Sequence, residues 1–198
     1  MRKSAELRKA EIVVTILDLA DRIGPDRVTT GAAAAAIGVS QAALFRHFPT
    51  KAAMWLAVAE HITDELTTAW ERALSGVDDP VSRIEGLVAA QLGQIAAKPA
   101  LPMLLFSREL NVGNEDLRAA FRGLLMKFQA LIVAELARGH EAGCLRRDVA
   151  PADAAVLLTS LVQGMAIRGS LGARDFPLIG EGIRLLGVQM RLLAARGD

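Results

Sequence analysis

The stretch that decides the fold runs from Thr29 to Lys51 and reads TTGAAAAAIGVSQAALFRHFPTK. Its Ala-rich part, Ala32 to Ile37, predicts a short helix, and Gly38 can adopt the left-handed conformation that ends one. Ser40 can cap a second short helix from Gln41 to Phe48. Two short helices joined by a tight Gly-Val-Ser turn have the geometry of a helix-turn-helix.

The residues of this stretch divide into those that hold the two helices together and those left on the surface. Small side chains at Ala33 and Ala34 allow a close crossing, and Val39 fills the angle between the helices. Leu44 and Phe48, four residues apart, would attach the second helix to the core. The remaining side chains suit a DNA major groove, where Gln can read adenine, Arg can read guanine and Ala can pack on a thymine methyl group. They are Gln41, Ala42, Ala43, Phe45, Arg46 and His47.

The composition of the 198-residue chain favours a helical globular protein. Hydrophobic residues make up 52% of it and Tyr is absent, and the abundant Ala and Leu are strong helix formers. The 23 basic and 22 acidic residues leave a net charge of +1, unlike that of a disordered chain. Residues 1–51 nevertheless carry eight basic and five acidic side chains, a net charge of +3. Two interpretations stay open: ordinary surface scatter, or an N-terminal segment that binds a polyanion.

Hydrophobic periodicity and helix breakers predict an all-α fold of about nine helices. A three-helix head that contains the helix-turn-helix would precede a helical body. The predicted helices cover 4–23, 32–37, 41–48, 51–74, 81–97, a short segment that Pro99 and Pro102 frame and that ends at Leu110, 115–142, 151–169 and 178–195. We expect a turn at residues 111–114 and a loop at residues 172–177.

Several other classes of protein and site are disfavoured by the sequence. The single cysteine, Cys144, cannot form an internal disulfide; we interpret it as a turn residue and leave a redox role open. A signal-peptide pattern and an apolar run of about 18 residues are absent, so we expect a cytoplasmic protein. His61 and His140 lack partners at metal-ligand spacing, and no Ser/His/Asp set, Gly-rich phosphate loop or HExxH pattern occurs. We therefore expect no enzyme activity, no metal and no cofactor.

The helix-turn-helix stretch resembles the TetR family of transcriptional repressors over about residues 5–58. The match is an ordered set that follows one amphipathic helix and precedes a long one: Thr30, Ala33-Ala34, Gly38-Val39-Ser40, Leu44-Phe45, His47-Phe48 and Lys51. Within the family, the segment from Thr29 to Met54 looks especially like the DNA-binding head of the nucleoid-occlusion member. The later sequence looks like the divergent ligand-binding bodies of TetR regulators.

The resemblance implies contacts with DNA for individual residues. Thr30 would cap the first helix of the motif and contact a phosphate, and Ser40 would cap the second, recognition helix. Gln41 and Ala42 would face bases, His47 and Lys51 would hold phosphates, and Arg46 could reach either. The full set of DNA-binding candidates is Thr29, Thr30, Ser40, Gln41, Ala42, Phe45, Arg46, His47 and Lys51.

One departure from the family pattern weakens the expected grip on DNA. Phe45 stands where the family usually has a Tyr whose hydroxyl bonds a phosphate, so that bond cannot form. We therefore expect fewer phosphate contacts than usual. The basic tail of Arg2, Lys3, Arg8 and Lys9 is either a compensating DNA arm or a solvated terminus.

The resemblance also implies a division of labour: residues 1–50 bind DNA, and residues 51–198 bind a ligand and dimerise, with helix 51–74 as connector. The last two helices would form a four-helix bundle with a second subunit, or else be buried within one chain. The interface candidates are Val156, Leu157, Leu161, Gly164, Leu185, Leu186, Val188 and Leu192. The candidates for a ligand pocket, which are otherwise ordinary core, are Trp70, Leu92, Ile95, Leu104, Phe106, Phe121, Leu125, Phe128, Gln129, Gln163 and Met165.

Two functions stay open at this point. The first is a dimeric repressor that binds a palindromic DNA operator and is released by a small, hydrophobic effector. The second is a DNA-binding nucleoid-occlusion or cell-division factor whose body binds a protein partner.

Overall fold

The computed structural model describes residues 5–171 and 176–195, and within them it confirms the predicted all-α fold. Apart from one isolated bridge between Leu145 and Ala194, these residues contain no β-structure. None of the described helices has the length and apolar character needed to cross a membrane. The helices are α1 (Ala5–Ile23), a 3-10 turn (Pro25–Arg27), α2 (Thr30–Ile37), α3 (Gln41–His47), α4 (Lys51–Leu74), α5 (Pro80–Ala97), α6 (Ala100–Phe106), α7 (Arg108–Val112), α8 (Glu115–Glu141), α9 (Pro151–Ser170) and α10 (Leu178–Leu193). Residues 172–175 of the expected loop lie outside the described ranges.

The prediction of one short helix ending at Leu110 is wrong, because the segment forms two helices that meet at Ser107. The Ser107 amide donates to the carbonyl of Met103 and so ends α6. Its hydroxyl oxygen accepts the Leu110 amide at 3.1 Å and caps α7. Asn111, expected in a turn, lies within α7, and its Nδ2 donates to the carbonyl of Ser107 at 2.7 Å. The described residues therefore form ten α-helices rather than nine.

The chain divides into two compact units that do not follow the boundary at residue 50. The first unit combines residues up to Glu65 with Lys98–Gly123. The second combines Leu66–Ala97 with the residues from Leu124 onward. The predicted functional division of the chain concerns what each part binds, and it remains a prediction.

The first unit is built around the packing of α1 on α2 and of α2 on α3. Ile12 and Ile16 of α1 and Ala33 of α2 are fully buried there, which gives these helices a large hydrophobic driving force. Two carboxylates also connect α1 and the 3-10 turn to α6 and α7: Asp21 accepts the Ala100 amide, and Asp26 accepts the Ser107 hydroxyl at 2.6 Å.

The second unit packs α10 against α5 and α9. Gly182 leaves room for the close approach of α10, because a Cβ there would lie 2.4 Å from Cδ1 of the fully buried Leu92, whose side chain would have to move. The buried Trp70 donates from Nε1 to Oε1 of Gln91 at 3.0 Å, and its ring lies 5.1 Å from that of Phe128.

A buried ion cluster holds the chain between α4 and α5 to α8. Glu135 is 4% exposed, and its two oxygens lie 2.8 Å from Nε of Arg83 and 2.7 Å from Nη1 of Arg138. Nη1 of Arg83 also donates to the carbonyls of Leu74 and Val77, each at 2.8 Å. The buried carboxylate is thus paired with two guanidinium groups, as a buried charge requires.

Candidate nucleic-acid interface

The helix-turn-helix has the local geometry that its sequence predicts. Gly38 ends α2 in the left-handed region, with φ of 75°, where other residues would be strained. The Val39 amide then donates to the carbonyl of Ala34 at 3.0 Å and closes the turn. The Ser40 hydroxyl accepts the Ala43 amide at 3.2 Å, so Ser40 caps α3 as predicted.

The prediction that Thr30 caps α2 is wrong, because Thr29 has that position. Thr29 has an extended backbone, with φ of −94° and ψ of 160°, and its hydroxyl oxygen accepts the Ala32 amide at 3.0 Å. Thr30 is the first helical residue. Its hydroxyl oxygen instead accepts a hydrogen bond from Nε2 of Gln41 at 2.6 Å. Sequence reasoning did not find this contact between the starts of α2 and α3.

The recognition helix α3 presents one buried and one exposed side. Leu44 is 1% exposed and Phe48, which follows the helix, is 2% exposed, so the predicted attachment to the core is confirmed. The other side carries the candidates for DNA contact. Gln41, Ala42, Phe45 and Arg46 are exposed, and Ala43 and His47 are half-buried.

The cationic side chains near α3 have no acidic neighbours in sequence. From Arg27 to Ala59 the chain contains no Asp or Glu. The side chains of Arg46, His47 and Lys51 make no hydrogen bond or ion pair with other described residues. Their donor groups are therefore available to phosphate or base oxygens.

The basic tail is only partly described, since Arg2 and Lys3 lie outside the described residues. Nη1 of Arg8 lies 3.2 Å from an oxygen of Glu11, which neutralises part of its charge. Nζ of Lys9 lies 5.8 Å from the centre of the Phe48 ring. Lys9 is thus placed beside the end of α3, while the role of the tail in binding DNA remains a prediction.

Neither Cys144 nor the two histidines of the body form a cluster that could hold a metal among the residues the structure describes. Cys144 lies in the turn after α8, and its Sγ is 3.4 Å from the carbonyl oxygen of Gly139. Nε2 of His61 lies 3.5 Å from a carboxylate oxygen of Glu65. Burial lowers the pKa of His61 below its ordinary value of 6.5, and the nearby Lys98 ammonium acts in the same direction.

The ligand-pocket candidates belong to both units. Leu104 and Phe121 are buried in the first unit, whereas Phe106 is 50% exposed at the end of α6. The candidates of the second unit are buried at Trp70, Leu92, Ile95, Phe128 and Met165 and half-buried at Leu125, Gln129 and Gln163. Gln91, which binds Trp70, was missed, because a lone Gln in an apolar helix carries no sequence signal for a partner 21 residues away. That these residues line one pocket remains a prediction.

The dimerisation candidates differ in how much surface they offer. Val156, Leu157 and Leu192 are more than half exposed, and a Cβ at Gly164 would meet no atom within 4 Å. Leu161, Leu185 and Val188 are half-buried. Leu186 is fully buried within the chain and has no surface for a partner, which corrects its assignment to an interface. Four exposed apolar residues of the same region were missed: Ile167, Leu171, Ile179 and Ile183.

Comparisons with known proteins agree with this geometry. A family model described as "Bacterial regulatory proteins, tetR family" matches residues 12–58, which include the whole helix-turn-helix. The nucleoid occlusion factor SlmA of Aliivibrio fischeri strain MJ11 is 31% identical over 157 residues, 78% of each chain. The similarity therefore extends well beyond the DNA-binding head.

Solved structures of low sequence identity share the fold. A TetR transcription regulator from Haloarcula marismortui has a TM-score of 0.84 at 18% identity, with 96% of this chain and 99% of that chain covered. A putative transcriptional regulator from Saccharomonospora viridis, solved in complex with choline, has a TM-score of 0.79 at 20% identity, with 98% and 100% covered. The match to the family model and the similarity to SlmA point to a DNA-binding regulator rather than an enzyme. The chain belongs to the TetR family of bacterial regulatory proteins and has the helix-turn-helix of a DNA-binding transcription regulator.

Proposed function

We propose that this protein is a homodimeric repressor that binds a palindromic DNA operator and is released by a small, hydrophobic effector. The observation that carries the proposal is the exposed side of α3, where Arg46 and His47 have no partner among the described residues. Gln41 and Ala42 at the start of α3 would meet base edges, and Lys51 would meet a phosphate. Because the DNA of a bacterium lies in its cytoplasm, we infer a cytoplasmic location.

Exposed apolar side chains on α9 and α10 support dimerisation. Val156 and Leu157 on α9 are 52% and 56% exposed, and Leu192 on α10 is 68% exposed. Apolar groups concentrated on one region of a protein surface commonly mark an interface. A second copy with the same two helices would cover them through a twofold axis, which suits two recognition helices ~34–36 Å apart on a palindrome.

The second unit contains the features that support an effector site. Trp70 and Phe128 supply apolar surface, and Gln91 supplies a buried amide beside them. Small-molecule sites combine mostly apolar walls with a few polar groups in this way. The Saccharomonospora viridis regulator was solved with choline, and its likeness in fold supports a small-molecule ligand for this chain.

Effector release would be a two-state equilibrium. The effector would bind better to a form whose recognition helices have the wrong spacing, while DNA binds the other form. We expect α4 to connect the two sites, since it contributes residues to both compact units. To reverse a 1:99 ratio of the two forms, the effector must prefer one of them by about 5.5 kcal/mol.

The second candidate function is nucleoid occlusion. It is favoured by the similarity to SlmA, which covers 78% of the chain and is not confined to the helix-turn-helix. In that case the body would bind a protein partner rather than a small molecule, and the DNA sites would be distributed over the chromosome.

Genome-wide mapping of binding sites with the native protein tests the two functions against each other. A repressor should occupy one or a few palindromes near regulated promoters, its own included, and a screen of hydrophobic metabolites should yield one that releases it. Many scattered sites that no small molecule affects would reject the repressor and favour nucleoid occlusion. A protein that stays monomeric and ignores duplex DNA at low salt would reject both.

A further inference from the structure

The hydrogen bond between Thr30 and Gln41 joins the first residue of α2 to the first residue of α3. Nε2 of Gln41 donates to Oγ1 of Thr30 at 2.6 Å, across a separation of 11 residues. Gln41 is exposed and Thr30 is half-buried, so the pair lies at the surface of the motif. Among the described residues that we expect to contact bases, Gln41 is the one whose side chain is hydrogen-bonded to the other helix of the motif.

This bond selects one orientation of the Gln41 amide once the Thr30 hydroxyl donates its proton to a phosphate oxygen, because the hydroxyl can then only accept from Gln41. A glutamine amide carries two N–H donors and one carbonyl acceptor, and its plane can turn over by rotation about the last side-chain torsion. When Thr30 accepts one N–H, the other N–H and the carbonyl oxygen remain free. Gln41 then offers one donor and one acceptor to a ligand.

Among the four bases, adenine matches this donor and acceptor pair. In the major groove adenine presents the N6 amino donor and the N7 acceptor, which a glutamine amide can satisfy together. Guanine presents two acceptors, N7 and O6, and would need both N–H groups of Gln41. Cytosine and thymine each offer a single polar group there, so either can meet only half of the pair.

We propose that Thr30 is a specificity-positioning residue that holds the Gln41 amide in the orientation that reads adenine. The inference rests on the proposed function, because it requires α3 to lie in the major groove with Gln41 at a base edge. Thr30 acts through Gln41 and need not touch the base. Its hydroxyl proton stays free to donate to a phosphate oxygen.

The test compares the base preferences of the full-length protein and three variants on a duplex library randomised across both half-sites. The variants are T30V, which has the shape of threonine without the hydroxyl, T30S, which keeps the hydroxyl, and Q41A. The position that Gln41 reads is the one whose preference disappears in Q41A, and the wild-type protein should favour adenine there. T30V should lose about 3- to 10-fold of that preference, the size of one neutral hydrogen bond, and T30S should retain it.

Each outcome separates this inference from the proposed function. If T30V keeps the wild-type preference for adenine, or weakens binding to all sequences equally, the positioning role of Thr30 is overturned while Gln41 still reads a base. A wild-type preference for guanine at that position also overturns it. If Q41A changes no position, the placement of α3 in the groove fails as well.

A second measurement keeps the test valid if T30V folds poorly. Thr30→Ala also removes the hydroxyl, with less bulk at the first helical position, and circular dichroism identifies which variant retains the helical fold. In nitrogen-15 spectra of the folded variant, the Gln41 side-chain amide resonances should move from their wild-type positions and return in T30S. Unmoved resonances would mean that the hydrogen bond does not hold the amide in solution.

Discussion

The substitution Glu135→Gln should destabilise the protein by about 2–4 kcal/mol, because it removes the negative charge between two arginines. The Glu135 side chain is 6% exposed, whereas those of Arg83 and Arg138 are 19% and 45% exposed. Breaking a fully buried ion pair costs about 3–5 kcal/mol. The cost is smaller here because Arg83 retains two backbone carbonyls and Arg138 remains half in water.

Urea unfolding followed by circular dichroism measures this loss, with the protein concentration held constant because a dimer would make stability concentration-dependent. The matched control is Glu141→Gln, an exposed residue at the end of the same helix. It removes the same charge from α8 and should change stability by less than about 0.5 kcal/mol.

A double-mutant cycle tests the mechanism as well as the size of the effect. Arg83→Met removes the partner charge and keeps most of the side-chain volume. The double variant should lose less stability than the sum of the two single losses, since neither charge is then left buried alone. The reasoning is refuted if Glu135→Gln behaves like Glu141→Gln, or if the two substitutions are additive.

The remaining predictions concern DNA binding and pH. Arg46→Ala should weaken specific binding by ~1–3 kcal/mol if Arg46 reads a base, whereas an equal loss on unrelated duplexes would indicate a phosphate contact. Lys51→Ala should reduce the slope of log affinity against log salt by about one, and an unchanged slope would reject a phosphate contact. Phe45→Tyr should tighten binding at low salt by restoring a hydroxyl, and unaltered affinity would contradict the argument from the missing group. Burial raises the pKa of Asp21 above its ordinary value of 3.8, against the opposing effect of the Ala100 amide. Because a raised pKa means that the folded state holds the proton more tightly, Asp21 stabilises the fold below pH 3.8 and loses this contribution as the pH rises through its folded pKa. Asp21→Asn should flatten that part of the stability curve in urea titrations at several pH values, and a curve of unchanged shape would reject the assignment.

The helix-turn-helix could be predicted because its determinants are local. Gly38 and Ser40 each act through hydrogen bonds within a few residues, and the four-residue spacing of Leu44 and Phe48 fixes the buried side of α3. Such features follow from chain geometry and do not depend on distant partners.

Local rules failed where two neighbouring residues satisfied the same rule, or where a residue distant in the chain supplied the partner. Thr29 and Thr30 are equally good N-caps by residue type, and only the extended backbone of Thr29 decides between them. The sequence pattern predicts Ser107 within a helix, yet its hydroxyl donates to Asp26, 81 residues earlier, and accepts the Leu110 amide. Leu185 and Leu186 are adjacent in α10, and only packing within the chain buries Leu186 fully.

Several side-chain contacts join residues far apart in the chain and could not be predicted from the sequence. For one of them, between Thr30 and Gln41, the sequence does contain a signal. Trp70 with Gln91, and Glu135 with Arg83, join different helices, and periodicity describes each helix separately. Thr30 and Gln41 are different, because each opens one of the two helices that the turn brings together. A polar residue at the first position of both helices is therefore a signal for a bond between them. The same local rules that place α3 thus also limit the orientation in which Gln41 can meet a base.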